Sequence, residues 1–309
     1  MDSRKRVIAA GRQSPVVAIL RRRRGKPVAP EGREGRVIPF SEKEVVTKLL
    51  RKVPGMVNVF RDATYLHVST LLGSCVRKIA LSHKYNISMP SELISDSLGI
   101  TFAQGRVIDT YLKDLVSKGY PAMAFGVWSC LCGATKTEPI VKRDIPPISC
   151  QKCSMVPSVY TEMLLVDDEH MVTGSPDIVL YFEAEGFYYP VEVKSMAHER
   201  WKELVRPLPD HVLQVTFYWH FLRTNGYNVP SQVSIVYVSK GFNFKTPYKE
   251  FEVYPADEVY RLAPYLLEAK ALKESRSGTG PLPIRVVCSS EDCASAKECH
   301  VSSLCFTVD

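Results

Sequence analysis

Two short stretches hold the residues best suited to chemistry. Gly174-Ser175-Pro176-Asp177 is followed, fourteen residues after the Asp, by Val191-Glu192-Val193-Lys194. Two adjacent antiparallel strands would bring Asp177 and Glu192 together at one end. Lys194, two residues beyond Glu192, would share its strand face. Paired carboxylates are hard oxygen ligands for Mg²⁺ or Mn²⁺, which polarise a phosphate and lower the pKa of a bound water, while an ammonium can orient that water. Such a set suits phosphodiester hydrolysis. The same residues also describe an exposed strand with a Glu/Lys charge pattern beside a turn Asp.

The nine cysteines form a second pattern. In a chain too long to need disulfide staples, close cysteine pairs point first to metal or cluster ligation. Cys130-x-Cys132 and Cys150-x2-Cys153 are separated by seventeen residues, the layout of a zinc ribbon whose two knuckles hold one tetrahedral Zn²⁺. The surrounding segment is rich in Pro and too small to build a core, so a structural zinc would be needed to fold it. Cys75, Cys288, Cys293, Cys299 and Cys305 remain.

The elements that must position these groups can be sketched from pattern. Ser41 and Glu44 form a capping box ahead of Val45, Val46, Leu49 and Leu50, and a further helix from near Ser69 carries Cys75. Residues 101–117 have helical periodicity, with Ile108, Tyr111, Leu112, Leu115 and Val116 on one stripe and Gly105 and Asp109 on a neighbouring face. Asp109 also stands four residues before Lys113, the spacing of an ordinary helix ion pair. Tyr160–Val166, Met171–Phe182 and Phe187–Lys194 are expected strands of a β-meander. A helix capped by Asp210 runs to Gly226, placing Gln214 and Tyr218 one turn apart. Strands at Val233–Val238 and Glu250–Tyr254, a helix from Asp257 to about Glu274 and a Gly/Ser linker at 277–281 complete the chain before its cysteine-rich tail.

Composition bounds the answer. Of 309 residues, 45% are apolar and 24% charged, which excludes collagen-like, disordered and small disulfide-framework proteins. No stretch approaches a membrane span of about 18 apolar residues, and the N-terminus lacks a secretory pattern. A soluble cytoplasmic protein of a prokaryotic or virus-infected cell is expected. Residues 1–36 carry eleven Lys or Arg against Asp2, Glu31 and Glu34, so this arm is +8 in a chain of net +7. A Gly/Pro-bearing basic arm ahead of a neutral body can track nucleic-acid phosphates, or be a solvated tail.

Pro176-Asp177 and Glu192-Val193-Lys194 resemble the PD-(D/E)xK nuclease superfamily in its RecB-like branch. Glu162 fits that branch's first-strand Glu, and Gln214-x3-Tyr218 its downstream helix motif. Gly105-x3-Asp109 has Asp where the branch places a metal-binding His. The resemblance implies a restriction-endonuclease-like α/β fold, a central mixed sheet flanked by helices. It implies Mg²⁺ or Mn²⁺ held by Asp109, Asp177, Glu192 and the carbonyl of Val193, with Lys194 aligning water and Gln214 and Tyr218 positioning substrate. Cluster-bearing members take one Cys before the core and three from the C-terminus, which implies a [4Fe-4S] cluster on Cys75, Cys293, Cys299 and Cys305, with Cys288 as a substitute; a second zinc or free thiols are the other readings. Cys75-Val76-Arg77-Lys78 resembles the Cys-Pro-Arg-Lys segment of those proteins.

The expected organisation is therefore a basic arm (1–40), an N-terminal helical part (41–127), a zinc-ribbon insertion (128–157), a nuclease core (158–275) and an iron-sulfur tail (276–309). The resemblance is to exonucleases of phage and CRISPR-adaptation type, and implies cleavage of single-stranded DNA or DNA ends during recombination, replication or processing. The chain has no Walker P-loop, so strand separation would fall to a helicase or recombination partner, or to preformed ends. The alternative is a nuclease-fold DNA-binding or assembly subunit that uses the ribbon and the arm.

Overall fold

The structure is a computed structural model and describes residues 65–87, 96–120, 123–130, 132, 150, 152–155, 159–241 and 246–308. The basic arm and the helix expected from Ser41 lie outside the described residues. Strand β1 (Leu66–His67) leads into helices α1 (Val68–Gly73) and α2 (Val76–Lys84), then the long α3 (Asp96–Gly119). Strands β2 (Val127–Ser129), β3 (Val159–Thr161), β4 (Leu165–Asp167), β5 (Val172–Gly174), β6 (Ile178–Phe182) and β7 (Phe187–Met196) follow. Helices α4 (His198–Glu203) and α5 (Pro209–Thr224) precede β8 (Val233–Ser239) and β9 (Tyr248–Val253). Helix α6 (Pro255–Glu258), a 3-10 turn, α7 (Ala263–Ser277), α8 (Ala294–Lys297) and α9 (Ser302–Thr307) end the chain.

The fold is mixed α/β. A four-stranded sheet runs in the order β6-β7-β8-β9, antiparallel at both ends and parallel between β7 and β8. A parallel pair needs a crossover, and α4 and α5 supply it. Helix α3 lays Ile108, Leu112 and Val116 against Ile178, Val191, Val193 and Val238 on one sheet face. Helix α5 covers the other: Val215 and Trp219 pack with Val233, Ile235 and Tyr237, while Leu213, Phe217 and Phe221 turn into a second core shared with α2 and α7. Among the described residues no helix is long and apolar enough to cross a membrane.

Several expected elements divide. The helix expected from Ser69 breaks at Ser74-Cys75, and Cys75 is the N-cap of α2. Tyr160–Val166 splits into β3, paired with β2, and β4, paired with β5; Met171–Phe182 splits at Ser175-Pro176-Asp177 into β5 and β6. Proline has no N–H for a ladder and ends strand pairing. The β6–β7 hairpin is present, but β4 and β5 join a separate β1-β5-β4 sheet and β3 pairs with β2 alone, so the expected meander is divided among three sheets. Leu208, not Asp210, is the N-cap of α5, because Pro209 fills the first helical position. On α3 the buried stripe is narrower than the periodicity suggests, since Tyr111 and Leu115 are exposed.

Arg77 fastens the tail to α2. Its guanidinium is buried and donates from Nη1 to the Pro283 carbonyl at 2.8 Å and from Nη2 to the carbonyls of Cys305 and Val308. Ser82 Oγ meets His300 Nε2 at 3.0 Å one turn further along. Replacing Arg77 by Gln removes charge-assisted bonds that nothing else can make, so urea unfolding should report a loss of about 2–4 kcal/mol. An unchanged unfolding midpoint would show that the tail is held by other contacts.

Candidate active site

Strand β7 carries the centre. Its pairing with β6 starts at Ile178↔Val191, so Val193 has no ladder partner on that edge, and its N–H donates instead to Asp177 Oδ2 at 2.8 Å. In a strand the carbonyl leaves the same edge as its own N–H, so the Val193 carbonyl is aimed at the same opening. Strand alternation puts Glu192 and Lys194 together on the other face from Val191 and Val193. Glu192 is 1% exposed, and Lys194 Nζ donates to its Oε1 at 2.5 Å.

Helix α3 adds the next pair. Lys113 Nζ donates to Asp109 Oδ2 at 2.6 Å, pairs with Glu162 just beyond β3, and lies 3.5 Å from Asp177 Oδ1. Carboxylate oxygens of Asp109, Glu162 and Asp177 all lie within 4.8 Å of one another. Among the described residues two acceptors are buried without a hydrogen-bond partner, Asp109 Oδ1 and Glu192 Oε2. Buried acceptors of this kind are costly in a folded protein unless something satisfies them, and clustered carboxylate oxygens are what Mg²⁺ or Mn²⁺ requires. The donor set therefore fits a hard divalent cation.

The electrostatics follow from burial and crowding. Burial first, then the Asp177 charge, push Glu192 well above the ordinary carboxylate range, with Lys194 pulling back. Burial also raises Asp109, aided by Asp177 and opposed by Lys113, and raises Glu162, again opposed by Lys113. Burial disfavours the Lys113 charge, but Asp177, Glu162 and Asp109 together overcome it and raise its pKa.

Gln214 and Tyr218 stand behind Glu192. Both are buried, and Gln214 Nε2 donates to the Tyr218 hydroxyl at 2.7 Å. Burial and then the Glu192 charge keep the phenol protonated far above its usual pKa. A Cβ on Gly174 would lie 2.6 Å from the Tyr218 ring, so the glycine admits the ring. Two residues beyond the sequence expectation complete the surroundings. Lys113, legible only as a helix ion pair, is the hub of three carboxylates. His211, from α5, lies with Nδ1 2.8 Å from the Tyr237 hydroxyl and has its pKa lowered to about 4 by burial and by Lys194, so its imidazole is neutral. Nothing in its spacing marked it out.

The four insert cysteines converge. Cys130 and Cys153 sulfurs are 3.3 Å apart, those of Cys132 and Cys150 3.6 Å, and all four lie within 4.8 Å of one another. Disulfides need about 2.05 Å, whereas thiolates on one tetrahedral zinc lie about 3.8 Å apart. Ser154, at φ 57°, turns the chain so that its N–H donates to the Cys150 carbonyl at 2.7 Å. The group can hold one zinc-sized ion. The remaining five cysteines also gather. Cys75, Cys288, Cys299 and Cys305 line one cavity of about 330 Å³, and Cys293 is hydrogen-bonded to Cys288 beside it. Among the described residues, no three of these five sulfurs come within 4.8 Å of one another, so they are spread wider than the insert group.

No family model matches the sequence, and no curated protein matches it. Among solved structures the chain is similar to an alkaline exonuclease from Laribacter hongkongensis, at 9% identity over 70% of this chain and 89% of that one, with a TM-score of 0.39. A likeness this loose carries no functional weight, so chemistry rests on the side chains themselves.

Without metal, the buried Glu192 charge should cost stability. A carboxylate whose folded pKa is raised is protonated more readily in the folded state, so its cost is absent below the ordinary value of about 4.3 and grows as pH rises above it. In EDTA at pH 8, Glu192→Gln should therefore unfold later than the wild type by about 1–2 kcal/mol, a gain that vanishes towards pH 4. Equal stability at both pH values would mean that Lys194 fully compensates the buried charge.

Proposed function

We propose that this protein is a metal-dependent deoxyribonuclease acting on single-stranded DNA or DNA ends. The observation that carries the reading is the convergence of Asp109, Glu162 and Asp177, whose carboxylate oxygens lie within 4.8 Å of one another, together with buried acceptors on Asp109 and Glu192 that no protein donor satisfies. Asp177, Glu192, the Val193 carbonyl and Asp109 would hold Mg²⁺ or Mn²⁺. Such an ion, when bound, lowers the pKa of a water and polarises the phosphodiester. Lys194 orients the attacking water from the Glu192 side and offsets charge that develops on phosphate. The Val193 N–H fixes the Asp177 rotamer. Gln214 and Tyr218 form the dry wall behind Glu192, and Tyr218 keeps its proton as a neutral donor for a substrate oxygen or for Glu192 itself. The basic arm would supply sequence-independent attraction to phosphate.

Asp177→Ala and Lys194→Ala should each lower cleavage of end-labelled single-stranded DNA at least a hundredfold in Mn²⁺, while EDTA abolishes it in the wild type. Cleavage that survives in Asp177→Ala would remove the active-site assignment. A second reading is favoured by Lys113, which offsets part of the charge of the acidic cluster without an ion: a nuclease-fold DNA-binding or assembly subunit. DNA binding by the wild type with no cleavage in Mg²⁺ or Mn²⁺ would select it.

Both cysteine groups belong to the proposal. Cys130, Cys132, Cys150 and Cys153 would hold a structural Zn²⁺. The wider group around the tail cavity suits a [4Fe-4S] cluster, whose four irons space their thiolates further apart than one ion does. Its lining supports Cys75, Cys288, Cys299 and Cys305 as the ligands, with Cys288 in place of Cys293. Anaerobically purified protein should contain about four iron and one zinc. Cys288→Ala should lose the visible absorption and Cys293→Ala retain it; the opposite result would restore Cys293 as the ligand.

A further inference from the structure

Lys113 stands where the oxygens of the acidic triad meet. Its ammonium contacts Asp109, Glu162 and Asp177, the same three residues whose oxygens cluster within 4.8 Å. The side chain is only 11% exposed and projects from the C-terminal third of a 24-residue helix. Drawn away from these carboxylates, it would become a buried charge without a counter-ion, which is strongly unfavourable. A divalent ion bound by the same three residues would sit against this ammonium, like charge on like charge.

The buried acceptors without a donor belong to Asp109 and Glu192. Asp109 gives Oδ2 to Lys113 and keeps a buried, unpartnered Oδ1, while Glu192 gives Oε1 to Lys194 and keeps Oε2. Charge count agrees with geometry. Ionised Asp109, Glu162, Asp177 and Glu192 contribute four negative charges, and Lys113 and Lys194 two positive ones. One divalent ion brings this half-buried centre to neutrality; a second would leave it at +2 before any substrate arrives, at a desolvation cost that nothing in the cluster offsets.

We propose that Lys113 is a built-in cation that fills the Glu162 half of the acidic cluster and limits the centre to one divalent ion, held on the Glu192 side. Glu162 is then a positioning residue that holds the ammonium, not a metal ligand. The inference rests on the metal-dependent reading above and specifies its stoichiometry.

The test is a Mn²⁺ titration of the full chain, with its zinc and cluster loaded and without DNA, counting bound ions from the loss of the free Mn²⁺ electron paramagnetic resonance signal. Wild-type protein should take up one tightly bound ion. Lys113→Met should bind the first ion at least tenfold more tightly and accept a second, and should melt earlier than the wild type in EDTA but not in Mn²⁺. Two tight ions in the wild type, or a Lys113→Met variant that matches the wild type in count and affinity, would overturn the proposal. Glu162→Gln decides the matter if Lys113→Met does not fold. One ion, bound up to tenfold more weakly, supports Glu162 as a holder of Lys113, and loss of the ion marks it as a ligand and overturns the inference. Wild-type protein that binds no Mn²⁺ at all sinks the metal-dependent reading itself, an outcome distinct from the binding of two.

Discussion

The site depends on one hydrogen bond, from the Val193 N–H to Asp177. Strand β7 outruns its neighbour because Pro176 cannot extend the β6 ladder, and β6 begins only at Ile178. On its other edge β7 stays paired with β8 from Val191 to Met196, so the strand keeps one ladder while the other edge opens. An open edge would leave the Val193 N–H unsatisfied in a half-buried place. The carboxylate of Asp177 takes that bond, and in doing so is fixed beside the residue whose neighbours on the strand are Glu192 and Lys194. The interruption that ends the ladder thus also builds the opening and anchors its first acid.

Crowding four carboxylates into that opening is costly, and the fold meets the cost from two directions. Lys194 comes from the same strand as Glu192 and pairs within two residues of it. Lys113 comes from α3, whose register on the sheet is set by Ile108, Leu112 and Val116. Those three apolar residues interleave with Asp109 and Lys113 along the helix, so the packing that buries one face of α3 also aims the adjacent polar strip at the end of β6. Helical periodicity joins packing and charge placement in a single element.

The parts of this arrangement that were legible in the sequence are local. Asp177, Glu192 and Lys194 stand at spacings that a hairpin converts directly into proximity, and Gln214 and Tyr218 at a spacing that a helix does. What was hidden is long-range. The partnership of Lys113 with Glu162 spans 49 residues, and its visible component, the pair with Asp109 four residues away, looks like any surface helix pair. The splitting of Tyr160–Val166 was hidden as well, because only the competing pairings of its two halves with β2 and β5 impose it, whereas Met171–Phe182 breaks at Pro176, a residue visible in the sequence. Periodicity reports which residues suit a strand, not which neighbour each half will choose.

Glu162 shows how the insert and the acidic centre are connected. It follows directly on β3, whose ladder with β2 joins Val127 to Thr161 at one end and Ser129 to Val159 at the other. Cys130 follows Ser129. The four-thiol group therefore closes one end of a three-residue ladder while Glu162 and its Lys113 contact leave the other. A two-stranded ribbon this short is not stable by itself, so its register must be held from outside. The four thiols gather at Cys130 on one end, and Lys113 pairs with Glu162 at the opposite end. The four-thiol group and Glu162 thus flank the same short ladder, and an insert that looks like an appendage in sequence adjoins the charged centre.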